Sequence, residues 1–205
     1  MLLAPISQLA AAALALGCPS NAASRLELPQ GTSQAITVEA ASTRTTYAAL
    51  RIWRRSGRCW AAAGGPFPAR VGWNGVRRDR HEGDGTTPIG TFRIAATMYG
   101  NEPNPGVSFR YRRVGCGDWW VEDASSPAYN TFQRVGCGIR PPFRVTTPDL
   151  SQDRTAYPYF AVVEFNLRPV VPGRGSGIFL HAQTGRPTNG CISLPRTDLL
   201  RVLRW

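Results

Sequence analysis

Short apolar runs separated by turn-forming residues recur along most of the chain: Ala48–Trp53, Cys59–Ala62, Ala69–Gly72, Gly90–Ile94, Phe109–Arg112, Phe160–Phe165 and Ile178–His181. Runs of this length, bounded by Gly, Pro, Asn and Asp, are the pattern of strands in an all-β sandwich or barrel. Only Pro195 to Trp205 has helical spacing, with Leu199, Val202 and Leu203 on one face and Pro195 suited to a first turn. The pattern therefore predicts a mainly β domain with a short C-terminal helix. From Ser24 to Arg44 large apolar residues are scarce, so residues 24–46 read as a linker holding a first short strand near Ile36–Val38, and the domain proper reads as 47–205. Asn101–Phe143 is long and dense in Gly, Pro, Trp and Tyr, which reads as an ordered, loop-rich insertion. Within it, Trp119 and Trp120 either floor a cleft or pack the loop onto the core.

Residues 1–23 place an apolar stretch, Leu9–Leu16, ahead of small residues, the pattern of a signal peptide cleaved at Ala22 or Ala23. The secondary expectation is a lipid on Cys18, because Ala15-Leu16-Gly17-Cys18 is a distorted lipobox; the membrane would then be met only through that anchor. No later run approaches the ~20 residues a spanning helix needs. The mature chain is thus expected to be exported, and soluble or anchored only at its N-terminus.

Composition adds a charge of +11, from 24 basic and 13 acidic residues, and every basic residue is Arg. Such a field favours anionic partners such as acidic wall polymers. No basic run exceeds two residues and no nucleic-acid module is recognisable, so nucleic acid is not an expected partner.

Export agrees with the cysteines. Setting Cys18 aside with the leader leaves Cys59, Cys116, Cys137 and Cys191. Cys116 and Cys137 occupy matching Gly-Cys-Gly settings, and a disulfide between them would contribute on the order of 3 kcal/mol. No CxxC or HxxxH spacing suggests a metal. The acidic stretch around Asp79, Glu82 and Asp84, with His81 and Arg80 beside it, reads as a solvated turn rather than a cation site or a glycan-cleaving acid pair.

Two histidines, His81 and His181, limit imidazole chemistry. His181 ends an apolar strand and Cys191 follows ten positions later, after a Gly-Arg-Pro turn stretch. If the flanks pair as an antiparallel hairpin, the two face each other at about 5 Å, and a thiol beside a base is a nucleophile. Gly190 leaves room for an acyl carbonyl and frees turn N–H groups for an oxyanion. On spacing alone the bland alternative stands: a structural His and a Cys bridged to Cys59.

His181-x9-Cys191 within Ile-Phe-Leu-His and Pro-Thr-Asn-Gly-Cys-Ile-Ser-Leu-Pro, together with Gly-Asp-Gly-Thr-Thr-Pro-Ile-Gly-Thr-Phe upstream, resembles the L,D-transpeptidase catalytic domain family (YkuD-like), and the variant with its Cys-Gly-Asp-Trp-Trp insertion looks like the secreted actinobacterial branch. The resemblance implies a β-sandwich, Cys191 as nucleophile, His181 as base and Cys59 buried and free. Thr188, Gly190 and Cys191 match the family's Ser/Thr-His-Gly-Cys tetrad, whereas Asn189 departs from it and leaves His181 as sole base. Ala182, in the place of a residue that often orients the imidazole, offers only its carbonyl. Ser193 stands where many members carry a substrate-binding Arg, and Arg196 is the substitute the sequence offers. The implied substrates are peptidoglycan stem peptides, the implied inhibitors carbapenems, and no cofactor is needed. An L,D-carboxypeptidase uses the same nucleophile with water as acceptor, and a non-catalytic wall-binding module with all four mature cysteines paired is the competing class.

Overall fold

The computed structural model describes residues 17–205. Among these residues a 3-10 helix, Ala23–Arg25, is followed by twelve strands and one α-helix: β1 (Gln34–Glu39), β2 (Tyr47–Ser56), β3 (Cys59–Arg70), β4 (Val76–Arg77), β5 (Thr87–Pro88), β6 (Ile94–Gly100), β7 (Arg110–Arg113), β8 (Asp118–Trp120), β9 (Phe132–Arg134), β10 (Phe160–Val163), β11 (Phe179–Ala182), β12 (Ile192–Leu194) and α1 (Arg196–Arg204). Eight strands form one large sheet in the order β1-β2-β3-β12-β11-β10-β6-β7, flanked by two small ribbons, β4-β5 and β8-β9. The domain is mainly β, with a large sheet and one short C-terminal helix, as the hydrophobic pattern predicts and as a β-sandwich requires.

Period-two alternation divides the central strands between two apolar clusters. Leu180, Ala182, Ile192 and Leu194 face a cluster closed by Leu199, Val202 and Leu203 of α1. Phe179 and Cys191 face the other way, against Phe160, Trp120 and Leu150. The nucleophile candidate is therefore built into the second cluster, under the insertion.

Several expected boundaries shift, each for a local reason. Cys59–Ala62 and Ala69–Gly72 merge into the single strand β3, because Gly64-Gly65-Pro66, which reads as a turn, is absorbed as a bulge against β2 between Leu50 and Ile52. Gly65 has φ +93°, and a Cβ there would stand 2.6 Å from the Leu50 carbonyl oxygen. The strand expected at Gly90–Ile94 begins only at Ile94, since Phe92 turns inward onto Phe165 with ring centroids 5.5 Å apart.

The expected linker is part of the sheet. β1 pairs with β2 over its whole length, from Gln34↔Arg54 to Glu39↔Ala49. Its buried residues are the small Ala35 and Thr37, because Trp53 and Trp60 fill the space above them, and Trp53 Nε1 donates to Thr37 Oγ1 at 3.0 Å. Large apolar residues, the usual mark of a strand, are supplied here by the partner strands.

The N-terminal segment departs furthest from expectation. The apolar part of the predicted leader, residues 1–16, lies outside the described residues. Cys18, however, is bridged to Cys59, so Cys59 is not a free thiol and the Cys18 sulfur is not open to a lipid. Ala23 is fully buried, Ala22 and Leu28 pack on the Trp53–Trp60 cluster, and Asn21 Nδ2 donates to the Trp60 carbonyl at 2.9 Å. Cleavage at Ala22 or Ala23 would remove half of this disulfide and uncover the cluster. The expected Cys116–Cys137 disulfide is present, and Cys191 is the free cysteine.

Candidate active site

His181 and Cys191 come together, but not as a hairpin. β11 and β12 run parallel, with Leu180↔Ile192 and His181↔Ser193 as partners. The eight residues between Ala182 and Cys191 carry the chain back across the sheet end, pinned midway by Thr188, whose N–H donates to the Val71 carbonyl and whose carbonyl accepts from Trp73. Cys191 therefore lies diagonal to His181 on the same sheet face rather than directly opposite.

Both side chains line a cleft of about 540 Å³, whose wall also carries Trp73, Trp120, Glu122, Asp153, Tyr157 and Asn189. His181 Nδ1 bonds the carbonyl of Ala182 at 2.8 Å. That acceptor places the proton on Nδ1 and leaves the Nε2 lone pair free. Burial lowers the imidazole pKa to about 4, against the opposing influence of the Ala182 carbonyl and the Asp153 carboxylate, so the ring is neutral at physiological pH. Tyr157 stacks edge-on against it at 5.4 Å.

The Cys191 thiol donates to the Gly177 carbonyl at 3.2 Å and accepts from the Phe179 N–H at 3.3 Å. Burial pushes its pKa up to about 12; the Phe179 N–H and the Arg80 charge oppose this, and the Glu122 carboxylate adds to it. The resting pair is thus neutral thiol and neutral imidazole. Such a site ionises sulfur only as it attacks, by general-base catalysis, rather than storing a thiolate–imidazolium pair.

Around the thiol, Thr188 and Thr87 hold the Cys191 carbonyl through their hydroxyls, at 2.6 and 3.2 Å. Gly190 has φ +132°, and a Cβ there would press on the Thr86 carbonyl oxygen at 2.8 Å, so this turn requires glycine. Its N–H is spent on Thr188 Oγ1 at 3.2 Å, which leaves the N–H of Cys191 itself for an oxyanion.

The other expected residues separate. Trp120 lines the cleft, anchored by Asn130 Oδ1 at 2.8 Å, whereas Trp119 lies outside the lining and packs edge-on against Phe143. Ser193 is buried beneath the site with its hydroxyl unpartnered, and Arg196 is engaged by Glu102 at 2.6 Å at the start of α1, away from the cleft lining. Neither is placed to meet a substrate carboxylate. The acidic turn is solvated only in part: Asp79 is exposed, whereas Asp84 accepts from the His81 and Thr86 N–H groups and the Thr86 hydroxyl, and Glu82 accepts from the Tyr129 and Ser176 hydroxyls. Among the described residues no cluster of His, Cys, Asp and Glu could hold a metal ion. Sequence reasoning missed Tyr157, Asp153 and Glu122, because an aromatic in a turn and isolated acids, one in the insertion and one beyond it, carry no local pattern.

No curated protein and no solved structure matches the chain. A model of the YkuD family, described as the L,D-transpeptidase catalytic domain, matches residues 33–205, which begins at β1 and takes in both His181 and Cys191. The chain belongs to the L,D-transpeptidase catalytic domain family.

Proposed function

We propose that this protein is a peptidoglycan L,D-transpeptidase in which Cys191 is the nucleophile and His181 its base. The stem peptide lies in the cleft with the carbonyl of its third residue over the sulfur. Nε2 of His181 takes the thiol proton as the sulfur electron pair forms the C–S bond, and the carbonyl electron pair moves to oxygen, facing the Cys191 N–H. Collapse breaks the C–N bond, and the terminal D-Ala leaves with the proton from His181. The amine of a second stem then attacks the thioester, gives its proton to His181, and releases Cys191 as the thiol with a new amide formed. Water in the place of that amine would make the enzyme an L,D-carboxypeptidase.

The observation that carries this reading is the pairing of a free, buried thiol with a neutral imidazole on one cleft wall, in a chain whose other described cysteines are bridged. A wall-binding module would need all four mature cysteines paired, and Cys191 is not. The disulfides fit an oxidising, extracytoplasmic compartment, and no helix among the described residues is long and apolar enough to cross a membrane.

Intact-mass spectrometry after incubation with a carbapenem tests the reading. A single adduct, absent from Cys191→Ala and much slower to form in His181→Ala, is the expected result. Folded protein with a reduced Cys191 and no adduct would overturn it. Stem peptides with and without an acceptor amine then divide cross-linking from hydrolysis.

A further inference from the structure

Among the side chains lining the cleft, the only arginine is Arg80, set against the carboxylates of Glu82, Glu122, Asp149 and Asp153. Its side chain is only 2% exposed. Even so, Nε and Nη1 make no hydrogen bond, and Nη2 has only a long contact, 3.4 Å, with the His81 carbonyl. The nearest carboxylate, Asp84, is 3.7 Å away and already accepts three hydrogen bonds from His81 and Thr86. The guanidinium lies over the face of Phe165 at 5.5 Å. Burying a cation with idle donors is costly, and the Asp84 ion pair and the Phe165 face offset that cost only in part.

What lies beyond those donors is the nucleophile turn. A Cβ on Gly190 would stand 3.5 Å from Nη2, and one on Gly175 only 2.6 Å from Nη1, so both loops are stripped of side chains where they cross the guanidinium. We propose that Arg80 is a positioning residue of the acyl transfer: its charge, only partly matched by Asp84 and set behind the Thr188–Cys191 turn, supports the negative charge that passes from the Cys191 sulfur to the tetrahedral oxyanion. With its side chain almost wholly buried, it acts through the turn rather than by contact with substrate. The inference rests on Cys191 being the nucleophile, as above.

The charges facing the sulfur are few. Arg80 favours its ionisation and Glu122 opposes it. His181 is neutral, the Tyr157 phenol stays protonated because burial and the neighbouring carboxylates raise its pKa well above 10, and Asp153 acts on His181 and Tyr157. Asp84 acts on Arg80 itself, and Glu82 acts on Glu122, whose pKa is raised by burial and then by that neighbour.

The test is the pH profile of Cys191 alkylation by iodoacetamide, read by intact mass on folded, disulfide-intact protein. Arg80→Met is expected to react about tenfold more slowly at pH 8, with its profile displaced to higher pH, and Arg80→Lys to recover most of the rate. Asp84→Asn, which removes the carboxylate nearest the guanidinium while keeping a hydrogen-bond acceptor, is expected to react faster. A folded Arg80→Met with the wild-type profile overturns the inference. Should that variant fail to fold, an Asp84→Asn protein that melts like wild type but reacts no faster overturns it instead. Alkylation requires no substrate, so the absence of a carbapenem adduct alongside the expected shifts would sink the functional reading and leave the role of Arg80 at the sulfur standing.

Discussion

His181 shows how one environment serves both chemistry and stability. Burial in the Phe179–Tyr157 wall holds its folded pKa at about 4, below the ordinary histidine value of about 6.5. Above pH 6.5 the ring is neutral folded or unfolded, so nothing is lost there. Between 6.5 and 4 the unfolded chain binds the proton and the folded one does not, so stability falls as pH falls, by on the order of 3 kcal/mol in all. The urea midpoint of the wild type should drop through that window, and His181→Gln should flatten the drop. An unchanged slope in the variant would place the acid sensitivity elsewhere.

At the level of elements, the site depends on the insertion being fixed to the strand that carries the histidine. Asn130, in the left-handed region at φ 58°, does this. Its Oδ1 accepts from Trp120 Nε1 and from the Gly177 N–H, at 2.8 and 3.0 Å, and its Nδ2 donates to the carbonyls of Phe165 and Asn166. One side chain thus ties the cleft-lining tryptophan to the residue whose carbonyl holds the thiol. Asn130→Ala would strand three buried polar groups and one half-buried carbonyl and is expected to cost about 3 kcal/mol or more, with slower carbapenem acylation even where the protein remains folded. Denaturant unfolding together with acylation rates checks both.

For the whole molecule, the Cys18–Cys59 bridge joins the segment before β1 to the start of β3, across 41 positions. It clamps the edge of the sheet far from Cys191, so it bears on stability and not on chemistry. Cys59→Ser, assayed in a chain retaining Cys18, is expected to lose about 4 kcal/mol while keeping the acylation rate of wild type at low temperature. Native protein should also titrate a single thiol after denaturation without reductant. Two or three thiols would mean that processing or pairing differs from the structure.

What sequence alone determined was whatever is carried locally. Short apolar runs between turn residues set the mainly β class, Leu199, Val202 and Leu203 set the helix face, and the matching Gly-Cys-Gly settings pointed to the Cys116–Cys137 pair. His181 and Cys191 stood out because both lie in one short segment with a family's motif around them. Strand direction was not legible, because Gln183–Gly190 suits a hairpin loop as well as a return to a parallel strand, and only the pairing of Thr188 with Val71 and Trp73 decides between them. β1 was legible only as a short strand near Ile36–Val38; its full extent was obscured because much of its burial comes from Trp53 and Trp60 on other strands. Arg80 read as a charge neutralising an acidic turn, since its position behind Gly190 exists only once residues 110 positions apart are brought together. Pattern along the chain reports which faces seek burial; which groups then meet, and which are left without a partner, is settled by long-range packing.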